Sequence, residues 1–138
     1  MSKFLVVANQ TAISAELTRA LVDRAKGDRA AQFILVVPAT PVEHLQTHEE
    51  GEARQIAARR AGRALTHLVD AGVPIVGAHV GAISLEDAID EALAEHTSDF
   101  DGIIISTLPP KESRWFSADL SSKLESRFKL PVTHIETR

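Results

Sequence analysis

Short apolar runs alternate with apolar residues at helical spacing along most of the chain. Phe4-Leu5-Val6-Val7-Ala8 is continuous, as expected of a strand buried on both faces. Ile13, Leu17, Ala20 and Leu21 follow at helical spacing, and Gly27 stops that helix. Phe33 to Val37 reads as a second buried strand, followed by a loop with Pro38 and Pro41. A long helix is predicted from about Glu49 to Ala71, with Ala53, Ala57, Ala61, Ala64, Leu65 and Leu68 on one face and Gly72 closing it. Gly62 inside it is unfavourable for a helix and suits a point of close packing. Val73 to Ala78 is the third strand. Ser84 caps a helix whose apolar face is Leu85, Ala88, Ile89, Ala92 and Leu93, with Asp87 as a capping-box variant. Ile103 to Ile105 form the fourth strand. A polar, proline-bearing loop over 107–118 leads to a short helix with Leu120, Leu124 and Phe128, and Pro131 to Ile135 is the last strand.

Five strands alternating with four helices call for an α/β three-layer sandwich: one parallel sheet, right-handed crossovers and helices on both faces. Proline lacks the N–H that a ladder needs, so it sits on edge strands or at strand starts. Pro74 and Pro131 fall in strands three and five, which makes those the edges. The strand order 3-2-1-4-5 satisfies this. Its topological switch lies between strands one and four, and ligands of such sheets bind beyond the carboxyl ends there. Those ends are Asn9-Gln10 and Ser106-Thr107.

The 138 residues fit one domain over 1–138, large enough for a core without cross-links. The absence of cysteine excludes disulfides and thiolate metal sites and suits a reducing cytoplasm, the expected location. The apolar start, Phe4 to Ala8, is too short for a signal peptide or a membrane span. A formal net charge of −4 argues against general nucleic-acid binding, which rests on neutralising phosphates. Arg59, Arg60 and Arg63 read as a solvated helix face.

Three stretches carry more specific signals. "VGAISLEDAIDEAL", "SDFDGIIIS" and "LPVTHI", in this order and between these elements, resemble the universal stress protein family. Gly81 and Ala88-Ile89 match that family's glycine after strand three and its helix start. Asp101 to Ile105 match its fourth strand, and Pro131-Val132 its terminal Pro-Val motif. The resemblance covers nearly the whole chain in element order. It implies the 3-2-1-4-5 sheet and a homodimer through the last strand. ATP-binding members have a loop after strand four with two glycines three residues apart and, ten residues on, a glycine followed by Ser or Thr. Here the first two positions are Ser106 and Pro109. With one deletion in the loop, the last pair is Ala118-Asp119. A phosphate cradle needs backbone N–H groups that approach closely, and proline supplies none. Asp119 adds negative charge, although an acid there also suits a helix start. The family's acidic residue at the end of strand one is Asn9. No cofactor is expected, and ATP is disfavoured.

Candidate ligand contacts are Asn9, Gln10, Val37, Gly81, Ser106, Thr107, Ser113 and Arg114. Asn9 or Thr11 caps the first helix, and Asn9 also faces the switch point. In the loop, Arg114 either grips an anion or is solvated with Lys111. Trp115 either stacks on a flat ligand or anchors the loop with Phe116. His44 and His48 share helical spacing but lack a third placed ligand, so no metal site is assigned. No nucleophile elbow, Walker loop or paired catalytic carboxylate is present, and no catalytic residue is assigned. The sequence thus points to a non-catalytic small-ligand-binding or regulatory domain. The alternative is a nucleotide binder or small enzyme with a rebuilt switch-point site.

Overall fold

The apolar runs pair into one sheet. The computed structural model describes residues 2–8, 11–39, 50–81, 84–95, 100–108 and 120–136. Their order is β1 (Lys3–Val7), α1 (Ala15–Gly27), β2 (Gln32–Pro38), α2 (Glu50–Asp70), β3 (Ile75–Gly81), α3 (Leu85–Glu95), β4 (Gly102–Thr107), α4 (Leu120–Phe128) and β5 (Val132–Glu136). Every pairing is parallel, and the strand order is β3-β2-β1-β4-β5. The prolines mark the edges as expected. Pro74 and Pro131 stand just before β3 and β5, and their carbonyls accept from Phe33 N–H at 3.0 Å and Ile103 N–H at 2.9 Å.

Alternation along the strands divides the interior into two cores. Val6, Phe33, Leu35, Val37 and Ile104 pack with Leu17 and Leu21 of α1 and with Ala57, Ala61, Ala64 and Leu68 of α2. Leu5, Val7, Ile34, Val36, Ile103 and Ile105 pack with Leu85, Ala88, Ile89 and Ala92 of α3 and with Leu120 and Leu124 of α4. Each large side chain fully buried in this way stabilises the fold by roughly 1.5–3 kcal/mol. Helices α1 and α2 therefore cover one face of the sheet and α3 and α4 the other, which sets the switch point between β1 and β4.

The local chemistry stops the helices. Gly72, at φ 90°, ends α2 with Gly72 N–H on Val69 O at 3.0 Å and Val73 N–H on Leu68 O at 2.9 Å. These are the paired bonds of a Schellman cap. After α1, the Asp28 carboxylate accepts from Ala30 N–H at 3.0 Å. The Ser2 hydroxyl first, and that N–H second, hold the carboxyl below its ordinary value. Ser84 Oγ accepts from Asp87 N–H at 3.1 Å, the cap expected for α3.

Four expectations change. Ile13 is 53% exposed and does not belong to α1. The chain first makes a turn closed by Ser14 N–H on Thr11 O at 3.0 Å. Ser14, not Thr11, then caps the helix, its Oγ accepting from Leu17 N–H at 3.1 Å. Gly62 does not mark close packing: it is exposed, and a Cβ there would meet nothing within 4 Å. Pro38 belongs to β2 rather than to a loop.

Candidate functional site

The carboxyl ends of β1 and β4 lie side by side, in register Val7 to Ile105. Ala8 continues β1 and donates its N–H to Val36 O at 3.1 Å, so the strand ends stay tied as they open into loops. Thr11 opens the turn before α1 and lies against β4. Thr11 Oγ1 and Ser106 Oγ lie 2.6 Å apart, both residues buried, and either hydroxyl can donate. This bond stitches the turn before α1 to the end of β4 across the switch point. Its Thr11 half was not foreseen. Ninety-five positions separate the partners, and no local pattern announces such a pair.

Thr107, one residue on, turns to the opposite face of the sheet, as strand alternation requires. Its Oγ1 lies 2.7 Å from His134 Nε2 on β5. The distance is that of a nucleophile and its base. But Thr107 is 2% exposed, so a substrate carbonyl has no approach to it, and the pair acts as a tie between the last two strands. Val37 is fully buried in the core beneath α1 and α2. Gly81 closes β3, opposite Pro38 in register, and its carbonyl accepts from Ala39 N–H at 3.3 Å. A Cβ at Gly81 would stand 2.6 Å from Ala88 Cβ, so glycine here admits α3 to the sheet.

Of the expected contacts, Ser106 therefore reaches the switch point, with Thr11 as an added partner. Val37 and Gly81 line the neighbouring strand ends, and Thr107 faces away. Asn9, Gln10, Ser113 and Arg114 lie outside the described residues, as do Pro109, Lys111, Trp115 and the Ala118-Asp119 pair. So do His44, His48 and His96. Among the described residues no three His, Asp or Glu side chains come together as metal ligands. His79 Nδ1 lies 3.3 Å from Glu95 Oε2, and His67 Nε2 lies 3.0 Å from Thr18 Oγ1. No described helix is long and apolar enough to cross a membrane.

The hydroxyl pair has a measurable consequence. Ser106→Ala leaves the buried Thr11 hydroxyl without its partner and is expected to cost about 2 kcal/mol in urea unfolding. Thr11→Val combined with Ser106→Ala removes both polar groups and is expected to cost less than the sum of the single changes. Strict additivity would show that the two hydroxyls do not interact.

No protein-family model matches the chain, and no curated protein matches it. Solved structures do. A protein of the universal stress protein family from Burkholderia pseudomallei superposes with a TM-score of 0.63 at 14% identity, covering 97% of this chain and 95% of that one. A universal stress protein from Archaeoglobus fulgidus gives 0.61 at 16% identity, covering 98% and 93%. A universal stress protein family protein from Arabidopsis thaliana, solved with AMP bound, gives 0.58 at 14% identity, covering 100% and 93%. At these identities the likeness is one of architecture, and this chain has the fold of the universal stress proteins.

Proposed function

We propose that the chain is a universal stress protein-like domain that binds a small ligand or serves a regulatory role, and that it does not hold ATP through a glycine loop. The observation that carries this reading is the Thr11–Ser106 bond. Ser106 stands where ATP-binding members have their first loop glycine, yet it has a side chain, is fully buried and is tied at 2.6 Å to the turn before α1. A glycine there leaves the backbone open to a close-lying phosphate, whereas a buried, bonded serine occupies that space. The remaining substitutions act in the same direction. Pro109 offers no N–H, and Asp119 puts an acid at a sequence position where ATP-binding members have a hydroxyl residue. The domain is read as non-enzymatic and cytoplasmic. It is read as a homodimer through β5, an edge strand whose unpaired backbone groups invite a second copy.

A second reading has one observation in its favour: the Arabidopsis protein, alike in fold along this whole chain, was solved with AMP bound. On that reading a nucleotide sits in a rebuilt site of Asn9, Ser106, Ser113 and Arg114; Thr107, expected there from the sequence, is tied to His134 on the other face. A thermal-shift screen with AMP, ATP and small non-nucleotide anions separates the two, since a ligand bound only by the folded state raises apparent stability. Stabilisation by a non-nucleotide ligand, or by none, supports the first reading. A nucleotide-specific rise that is lost in Asn9→Leu supports the second. Sedimentation as a monomer at high micromolar concentration would count against the β5 dimer.

A further inference from the structure

Helix α2 has a charge pattern that its own stability does not explain. No acidic residue occurs between Glu52 and Asp70, while Arg54, Arg59, Arg60 and Arg63 fall in that stretch of a chain with net charge −4. Arg59 and Arg63 are four apart, so they share a helix face and repel each other. No acid stands three or four positions from either of them. Both are exposed, and neither has an ion-pair partner among the described residues. Between them sits Gly62, the poorest helix former after proline. Its lack of a side chain relieves no clash, because a Cβ there would meet nothing within 4 Å. Arg59, Gly62, Arg63, Thr66 and His67 line a shallow, wide-open surface depression.

The donors in this depression can be assigned. Thr66 Oγ1 gives its hydrogen to Gly62 O at 3.2 Å. Thr18 Oγ1 gives its hydrogen to Ser14 O at 2.8 Å, so His67 Nε2 must be the donor in its 3.0 Å contact with Thr18. The backbone N–H groups of a helix interior are spent on the helix itself. The two guanidinium groups remain to receive a ligand, and both receive anions. One carboxylate saturates a single guanidinium fork, whereas a phosphate monoester has three terminal oxygens to share between two. Gly62 leaves room for such a group to settle between the forks.

We propose that this face of α2 is a binding site for a phosphate-bearing small molecule, gripped by Arg59 and Arg63 over Gly62. The site lies on the covering helix rather than at the strand ends, so it stands or falls independently of the ligand reading above.

The test is a titration of the full chain with inorganic phosphate, followed by backbone amide NMR, with acetate as the carboxylate arm. Phosphate is expected to shift the amides of residues 59–67 saturably, and acetate to act more weakly. Arg59→Gln combined with Arg63→Gln is expected to lower the affinity about tenfold or more. Gly62→Ala separates binding from folding. Alanine should raise the melting temperature, since it fits without contact and favours the helix, yet weaken phosphate binding several-fold by filling the notch. Equal binding by the double variant would overturn the proposal. So would equal strength of acetate, unchanged phosphate affinity in Gly62→Ala, or shifts confined to the ends of β1 and β4.

Discussion

Replacing Phe33 with alanine is expected to destabilise the domain by about 4 kcal/mol, the scale of deleting a large core aromatic. Phe33 is fully buried on β2, within the core beneath α1 and α2. It faces Phe4 across the β1–β2 pair, with ring centroids 5.8 Å apart and planes 26° from parallel. Arg24 of α1 lies over the Phe4 ring, 4.7 Å from its centroid. Removing Phe33 thus opens a cavity and also strips the inner support from a stack that ties β1, β2 and α1 together. The residue sits beside the irregular step in the β2–β3 register, between Phe33 and Ile34, where the ladder has less to hold it. Chemical denaturation gives the number. Phe33→Leu, which keeps most of the volume, should cost less than half as much. A loss below about 1 kcal/mol for the alanine variant would mean that the core collapses around the gap far better than close-packed interiors do.

The second large effect is expected at Gly81, where the smallest possible addition is the damaging one. Gly81→Ala should cost about 2 kcal/mol through overpacking. The new Cβ would lie 2.6 Å from Ala88 Cβ, 3.1 Å from Ala88 Cα and 3.3 Å from Val36 Cγ1. Ala88 cannot swing aside, because its only side-chain atom is fixed to the helix. Helix α3 itself would have to lift from the sheet, loosening Leu85, Ile89 and Ala92 as well. Alanine normally gains stability over glycine by restricting the unfolded chain. A variant as stable as the parent would show that α3 moves out at little cost.

Gly81 also shows where sequence and structure part company. It was expected as a ligand contact after strand three and stands as the last residue of β3. Its contacts add a packing requirement, the approach of Ala88, which only the three-dimensional structure contains. The fold was legible because three strands are buried on both faces and therefore read as unbroken apolar runs: Phe4 to Ala8, Phe33 to Val37 and Ile103 to Ile105. Pro74 and Pro131 then named the edges. The turn before α1 was not legible, because Ile13 stands four residues before Leu17 and mimics one more helical turn. The Thr11–Ser106 and Thr107–His134 bonds join elements far apart in sequence, and hydroxyls at strand ends carry no sign of their partners. Gly62 misled for a related reason: a glycine in a helix signals an unusual demand but does not say whether protein or solvent faces it.

The central claim, that the switch point does not hold ATP through a glycine loop, is tested most directly by isothermal titration calorimetry of the unmodified chain with Mg-ATP. The account predicts no saturable heat in the low micromolar range, because Ser106 is buried and bonded to Thr11 and Pro109 lacks an N–H. A low micromolar dissociation constant that is lost on substitution at Ser106 would contradict it.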